Sequence, residues 1–391
     1  MSISKKISES MKNQSWIREM FELGNSLKQE YGEKNVYDLS LGNPGSEPSK
    51  EFIKSIQSLL SNPTPGMHRY MPNAGYPATR DAVANHLSKI FNVGFSFENI
   101  IMTCGAGGSL NVILKSILDY KDEIIIFSPF FPEYLHYVEN HGGNPIIIPA
   151  NENFLPDVET LQKSITNKTK GIIINSPNNP TGVVYPQSTI DEIGIALTQA
   201  EEKYGNTIHL ISDEPYARLV YKPYKNPSIF SAYTNSILAT SFSKDLSLAG
   251  ERIGYAAINP NHVSRNELIN AFTFSNRILG FVNAPALMQN IIPKIIDSIV
   301  DVSWYENKRN YLMKNLIELG YEFPDPGGAF FIFAKSPIPN DIEFVKNLLE
   351  YKVLVTPGTG FGKQGYFRIS YSVEDWVLEG AIQGFSKVIN N

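Results

Sequence analysis

The stretch SFSKDLSLAGERIGY occupies residues 241–255. It places Lys244 between small hydroxyl residues, just past the apolar run 237–240, and it places Arg252 eight positions after the lysine with glycines on both sides. A lysine at the end of a strand in a covered sheet should bind a ligand, since lysine is rarely buried without a partner. Burial would also lower its pKa toward the neutral amine that attacks a carbonyl. The guanidinium of Arg252 and the hydroxyl of Ser241 could both bond one phosphate group. The stretch therefore predicts a Schiff-base lysine beside a phosphate site.

Short apolar runs alternate with longer amphipathic runs through the middle of the chain, as strands alternate with covering helices. Nearly all of these runs are continuously apolar, which is typical of strands covered on both faces of a mainly parallel sheet. Such a sheet binds its ligands at the carboxyl ends of its strands. The predicted strands are 100–103, 123–127, 145–149, 171–175, 209–212 and 237–240.

The length of the chain indicates two domains. It has 391 residues, 42% of them hydrophobic, whereas single cores stop growing near about 250–300 residues. The pattern predicts a long helix at 297–319, followed by strands at 328–333 and 365–371 that belong to a smaller α+β domain. The expected division is 1–47 as an N-terminal arm with part of the small domain, 48–296 as the large domain, and 297–391 as the small C-terminal domain.

Composition argues against several classes of partner. A net charge of −5 disfavours nucleic acid, because binding to the phosphate backbone needs a basic surface. The single cysteine, Cys104, cannot form an internal disulfide, which fits a reducing compartment. No long uncharged apolar run and no metal-ligand spacing occur. We expect a cytoplasmic protein with no metal site, no nucleic-acid partner and no membrane segment.

A glycine-rich stretch, TCGAGGSLN at residues 103–111, lies between a predicted strand and a helix-like run. Small residues at a helix N-terminus let backbone N–H groups approach an anion, and the helix dipole favours the negative charge. A tight turn without a ligand is the alternative interpretation. The stretch lacks the Gly-Lys-Ser/Thr ending of a Walker loop, and no acidic residue of the dinucleotide-binding type follows it.

Polar residues follow two further predicted strands, in NSPNNPTG at 175–182 and SDEPY at 212–216. The ordinary interpretation is that these residues form a turn and a helix N-cap. The functional interpretation is that Asp213 keeps a ring nitrogen protonated, while Asn179 and Tyr216 donate hydrogen bonds to a phenolic oxygen on the same ring.

Together these motifs resemble the class I and II aminotransferases of the aspartate aminotransferase type, which are fold type I enzymes that use pyridoxal 5'-phosphate (PLP). The resemblance runs from about Gly42 to Arg368. It implies an α/β fold, with a mainly parallel seven-stranded sheet sandwiched by helices in the large domain and a smaller α+β domain. It also implies that Lys244 is the catalytic residue and forms a Schiff base with PLP. The implied cofactor-binding residues are Tyr70, Gly105, Ala106, Gly107, Phe131, Asn179, Asp213, Tyr216, Ser241, Lys244 and Arg252.

The resemblance also assigns substrate and partner contacts. Arg368 corresponds to the arginine that binds the substrate α-carboxylate with its planar fork, and Gly42 and Asn179 lie on the substrate side. Phe131 corresponds to the ring that stacks on the cofactor, although an ordinary core aromatic is the alternative. Tyr70 corresponds to a tyrosine that reaches the cofactor phosphate of the neighbouring subunit, which implies a homodimer with shared active sites.

The implied reaction is a ping-pong transfer of the amino group of an α-amino acid to a 2-oxo acid, with aspartate, glutamate or an aromatic amino acid as donor. Arg277 lies near the region that supplies a second arginine in dicarboxylate-specific relatives; a surface arginine is the alternative. A PLP-dependent carbon-sulfur lyase or other eliminating enzyme would use the same lysine. A ligand-sensing regulator is disfavoured, because residues 1–40 are too few for a winged helix-turn-helix domain.

Overall fold

The computed structural model describes residues 2–12 and 16–390; residues 1, 13–15 and 391, which belong to the predicted arm and small domain, lie outside the described residues. The α-helices of the described part are α1 Lys5–Lys12, α2 Trp16–Tyr31, α3 Lys50–Ser61, α4 Pro77–Phe91, α5 Gly105–Ile117, α6 Glu133–Asn140, α7 Val158–Ser164, α8 Gln187–Tyr204, α9 Ile229–Ala232, α10 Arg265–Ile278, α11 Ala286–Ile295, α12 Val302–Glu318, α13 Asp341–Glu350 and α14 Asp375–Asn390. The strands are β1 Tyr37–Asp38, β2 Ile100–Thr103, β3 Glu123–Ser128, β4 Asn144–Pro149, β5 Thr169–Asn175, β6 His209–Asp213, β7 Ser236–Ser241, β8 Gly254–Ile258, β9 Phe331–Lys335, β10 Val353–Leu354, β11 Thr356–Pro357 and β12 Tyr366–Ser370. Among the described helices, none combines the length and apolar character that crossing a bilayer requires.

Seven strands form the main sheet, in the order β2-β8-β7-β6-β5-β3-β4. The pairs from β7 through β4 are parallel, and β8 runs antiparallel to both β7 and β2. The prediction of a mainly parallel seven-stranded sheet is therefore confirmed. All six predicted strands are present, whereas β8, which carries two alanines between its glycine and its isoleucine, was not predicted.

Both faces of this sheet are covered. On β5, Ile172 and Ile174 belong to one hydrophobic cluster, and Ile173 belongs to another on the opposite face. The alternation follows from the two-residue period of a strand, and burial on both faces explains the continuously apolar runs. β4 is the exception, since it lies at the edge of the sheet, where Ile147 is 49% exposed.

A separate hydrophobic cluster surrounds the three-stranded antiparallel sheet β11-β12-β9, packed with α12, α13 and α14. The predicted helix at 297–319 begins at Val302 instead, because the side chain of Asp301 caps the helix by accepting a bond from the Ser303 amide. The predicted strands at 328–333 and 365–371 correspond to β9 and β12. This sheet brings β12 toward the carboxyl ends of the large sheet; the domain boundaries at residues 47 and 296 stay a prediction.

Candidate active site

One pocket of about 440 Å³ lies at the carboxyl ends of β5, β6 and β7, and side chains from β12 and the loop after β1 close it from the other side. This is the edge at which a parallel sheet binds ligands. Of the predicted site residues, those that line the pocket are Gly42, Ala106, Gly107, Phe131, Asn179, Asp213, Tyr216, Ser241, Lys244, Arg252 and Arg368. Gly105 precedes two of the lining residues, and Tyr70 lies outside the pocket.

Asp213 is the last residue of β6, and it pairs in register with Asn175 at the end of β5. The side-chain amide of Asn175 donates to the Asp213 carbonyl at 2.7 Å, and its Oδ1 accepts from the Asn179 amide at 2.7 Å. The Tyr134 hydroxyl on α6 donates to Oδ2 of Asp213 at 2.5 Å. Oδ1 of Asp213 is buried and has no partner. Burial raises the pKa of Asp213 to about 7, and the bond from Tyr134 opposes that rise.

Lys244 enters the pocket from the turn that follows β7. Its Nζ donates to the carbonyl of Gly42 at 2.5 Å and lies 5.9 Å from the centre of the Tyr216 ring. Burial, together with the positive charges of Arg368 and Arg252, lowers the pKa of Lys244 to about 8. A substantial fraction of this amine is therefore neutral near pH 8 and able to attack a carbonyl.

The first turn of α5 and Arg252 face each other across one end of the pocket. Gly105 starts the helix with φ +77°, and a Cβ there would lie 2.9 Å from Nη2 of Arg252. A Cβ at Gly107 would lie 3.0 Å from the Tyr137 hydroxyl. The glycines therefore leave free backbone N–H groups at a helix N-terminus beside a guanidinium, which is a site suited to a phosphate. The glycine stretch predicted as a turn before a helix is itself helical from Gly105.

Arg368 is 1% exposed. Its Nη1 donates to Oδ1 of Asn179 at 2.9 Å, its Nη2 donates to the Ser40 carbonyl at 2.6 Å, and its buried Nε has no partner. The guanidinium carbon lies over the rings of Phe331 and Phe361, 4.6 and 4.8 Å from their centres. Burial lowers the pKa of Arg368 to about 10, which leaves it charged at neutral pH. A fixed, planar cation of this kind suits a carboxylate ligand.

Aromatic rings border the same space. Phe131 packs edge-to-face on Tyr134, with ring centroids 5.5 Å apart. Tyr216 packs edge-to-face on both Phe330 and Phe331, at 5.4 and 5.6 Å. The pocket thus combines an acid, an amine, two guanidinium groups and flat apolar walls, which suits a small planar ligand that carries negative charges.

The family described as Aminotransferase class I and II matches residues 34–385, nearly the whole chain. The chain belongs to the class I and II aminotransferases. The resemblance found in the sequence is thereby confirmed, and so is the prediction of a transferase enzyme.

Relatives of this aminotransferase carry several substrate names. It is 32% identical over 386 residues to the aspartate aminotransferase of Pyrococcus horikoshii, covering 95% of the chain and 94% of the relative. It is 31% identical over 393 residues to aromatic-amino-acid aminotransferase 2 of Thermococcus litoralis, covering 97% of the chain and 96% of the relative. The crystal structure of an amino transferase from Eubacterium rectale superposes with a TM-score of 0.96 at 34% identity, covering 100% of this chain and 99% of that one.

Two predicted residues of this aminotransferase lie apart from the pocket of their own chain. Tyr70 is 91% exposed on the loop before α4. Arg277 is exposed near the end of α10, where its guanidinium carbon lies 5.2 Å from the centre of the Phe274 ring. Contacts of either residue with the site would have to come from a neighbouring subunit.

Several residues that line the pocket were not predicted, among them two tyrosines of α6 and one asparagine. Tyr134 and Tyr137 are three positions apart on α6, so they share one face of that helix. Asn175 was noticed only as part of a turn. A signal for Tyr134 existed in its spacing, because it lies three residues after Phe131, but nothing in the sequence connects it with Asp213, 79 residues away.

Proposed function

We propose that this aminotransferase holds PLP through Lys244 and moves the amino group of an α-amino acid to a 2-oxo acid by a ping-pong mechanism. The observation that carries the proposal is the unpartnered Oδ1 of Asp213, in a pocket that also contains the Lys244 amine and the Arg368 guanidinium. A buried carboxylate oxygen without a donor is costly unless a ligand supplies the missing hydrogen bond. The protonated nitrogen of a pyridine ring would be such a donor.

The residues present fit PLP at each of its polar groups. Asp213 would accept from the ring nitrogen, and the Tyr216 hydroxyl and the side-chain amide of Asn179 would donate to the phenolic oxygen. The backbone N–H groups after Gly105, the Ser241 hydroxyl and Arg252 would bind the phosphate. Phe131 would cover one face of the ring.

PLP, when bound, supplies an electron sink for the bonds to the substrate α-carbon. Arg368 would bind the α-carboxylate and orient the substrate, with Asn179 and Gly42 beside it. The free amine of Lys244 would then remove the proton from the α-carbon, for which a pKa of about 8 suits it. The orientation imposed by Arg368 decides which bond to the α-carbon is activated.

The amino donor is proposed to be aspartate, glutamate or an aromatic amino acid; the names of the relatives include aspartate and aromatic amino acids. Arg277 would support a dicarboxylate only if it reached the pocket of a neighbouring subunit.

A decisive experiment reconstitutes the protein with PLP, reduces it with borohydride and maps the label by peptide mass spectrometry. A donor and acceptor screen then follows transfer of the amino group; release of ammonia and pyruvate without an acceptor would instead support the eliminating alternative.

Arg368→Lys should raise the KM for the amino acid about 10- to 100-fold, since a lysine keeps the charge but loses the two-pronged hydrogen bond. Steady-state kinetics with the best donor measures the effect. The matched control is Arg309→Lys, because Arg309 is also buried and also packs on a ring, that of Tyr221, but lies outside the pocket. Equal KM values for Arg368→Lys and the wild type would contradict the assignment of the carboxylate site.

We also propose a homodimer in which Tyr70 of each subunit completes the site of the other. Lys244→Ala and Tyr70→Ala chains, each poorly active alone, should regain activity when mixed, because every hybrid dimer contains one site with both native residues. Hybrids purified through two different affinity tags should show about half of the wild-type activity. Activity equal to the mean of the two parent variants would show that Tyr70 does not act across the subunits.

A further inference from the structure

The catalytic lysine lies in a segment with no regular structure. Residues 242–248, called the lysine loop here, contain only turns and bends. Its internal backbone bonds are long: the Ser247 amide to the Lys244 carbonyl at 3.4 Å, and the Leu248 amide to the Phe242 carbonyl at 3.3 Å. Contacts from outside the loop must therefore define where the Lys244 backbone lies.

The side chain of Asp245, next to Lys244, makes such a contact. Its Oδ2 accepts from Nη1 of Arg218 at 3.0 Å, in an ion pair whose side chains are 9% and 22% exposed respectively. Arg218 belongs to the segment that follows β6 and carries Tyr216, and β6 itself ends at Asp213. The ion pair therefore joins the loops that follow two neighbouring strands of the sheet.

The same guanidinium also binds the connection between α11 and α12. Nη1 of Arg218 donates to the Ile296 carbonyl at 3.1 Å, and Nη2 donates to the carbonyls of Asp297 and Ser298 at 3.3 and 2.7 Å. The carbonyl of Asp245 in turn accepts from the Val300 amide at 2.9 Å. One arginine and one aspartate thus hold three chain segments together.

A second set of contacts holds the lysine loop nearer its C-terminal end, at Ser247. The Ser247 hydroxyl lies 2.9 Å from the Ser46 hydroxyl, which lies 3.0 Å from the Tyr305 hydroxyl on α12. Ser46 is in the loop that carries Gly42, whose carbonyl accepts from Lys244. The lysine loop is therefore held at two positions just after the lysine, Asp245 and Ser247.

Neither Arg218 nor Asp245 lines the pocket. Both line a separate cavity of about 100 Å³ that shares Ser241 and Pro215 with the pocket. The other charged or titratable groups on that cavity are His86, Glu214 and Tyr255. The ion pair thus does not line the pocket, and the backbone of the lysine loop connects it to Lys244.

We infer that Arg218 and Asp245 are positioning residues for Lys244, which fix the lysine loop so that the amine stays at its place in the pocket. The inference rests on the catalytic role proposed for Lys244. Removing Arg218 would leave the buried Asp245 without a counter-charge and release three backbone carbonyls, so the loop would rearrange. A displacement of about 1 Å at a catalytic group can cost on the order of 100-fold in rate.

Arg218→Met is the first test, with hydrogen exchange measured by mass spectrometry on the cofactor-free protein. Amides in residues 242–252 and 296–301 should exchange at least about 5-fold faster than in the wild type, because the tether between them is lost. The matched control is Arg80→Met. Arg80 is buried, and its Nε donates to a backbone carbonyl at 2.8 Å, but that carbonyl belongs to Ile100 on β2 and not to residues 296–298.

The PLP-loaded protein gives the second readout. In Arg218→Met, the single-turnover rate with an amino acid should fall about 10- to 100-fold, with the Kd of the amino acid changed less than about 3-fold. The visible circular dichroism per bound cofactor should weaken, and Arg218→Lys should restore part of the rate. Asp245→Asn is measured in the same way, and it tests the ion pair if Arg218→Met does not fold.

Unchanged exchange in both segments would overturn the inference, and so would a loss of stability with normal rate and normal circular dichroism per bound cofactor. A wild-type protein that binds no PLP would refute both the proposed function and the inference that rests on it. The exchange experiment needs no cofactor, so the two failures can be told apart.

Discussion

Lys244→Ala should lower turnover by about 10⁴-fold or more, because it removes both the amine that binds the cofactor and the base that moves the substrate proton. The absorbance of the lysine-bound cofactor and the borohydride-stable label should both be absent. Spectra of the reconstituted protein and peptide mass spectrometry measure these losses directly. Normal turnover in the variant would refute the proposed mechanism.

Lys308→Met is the matched control for this prediction. Lys308 is another buried lysine, paired with Asp375 and 4.2 Å from the centre of the Trp304 ring, but it lies outside the pocket. Its loss should reduce stability and leave the absorbance per bound cofactor unchanged. An equal loss of absorbance in both variants would mean that burial of a lysine, and not the position of Lys244, matters.

Capture of PLP by the cofactor-free protein should depend on pH through the Lys244 amine. Its pKa is lowered to about 8, so the amine is mostly protonated below that pH and mostly neutral above it. The capture rate should therefore rise with pH, with a midpoint near 8, and level off above it. A midpoint near the ordinary lysine value of about 10.4 would contradict the described environment.

The sequence predicts the sheet well because strands covered on both faces leave a strong local signal. Ile172, Ile173 and Ile174 are apolar in a row for that reason. The strand β8 was not predicted because Ala256 and Ala257, although fully buried, have low β propensity. The start of α5 at Gly105 was not predicted for a similar reason, since glycines have low helix propensity.

The candidate site divides in a similar way. Asn175 and Asp213 end adjacent parallel strands, so a common edge could be expected from the strand pattern alone. Arg368 comes from another sheet, 189 residues from Asn179, and only the family resemblance pointed to it. Contacts such as that between Arg218 and Asp245 depend on how loops pack, which no local pattern specifies.

Asp213→Asn should lower the single-turnover rate about 10²- to 10³-fold, with little change in the KM for the amino acid. A neutral amide cannot stabilise a proton on the cofactor ring nitrogen, so the electron sink weakens at the step in which charge develops. Cofactor labelled with ¹⁵N at the ring nitrogen gives an independent readout, because its chemical shift should move from the protonated to the neutral value. A variant with a normal rate and a protonated ring nitrogen would contradict the role proposed for Asp213.

Glu214→Gln separates this role from the general effect of a buried acid. Glu214 is the next residue and is also buried, and burial raises its pKa to about 7 as well. Its oxygens already accept from the Ser212 hydroxyl at 2.7 Å and the Asn226 amide at 2.9 Å, so it has no free oxygen to offer a ligand. Glu214→Gln should therefore keep both the rate and the ¹⁵N shift. Tyr134→Phe removes the hydrogen bond that orients Asp213. Its single-turnover rate should lie between those of Asp213→Asn and Glu214→Gln, because the carboxylate remains but is no longer held in place.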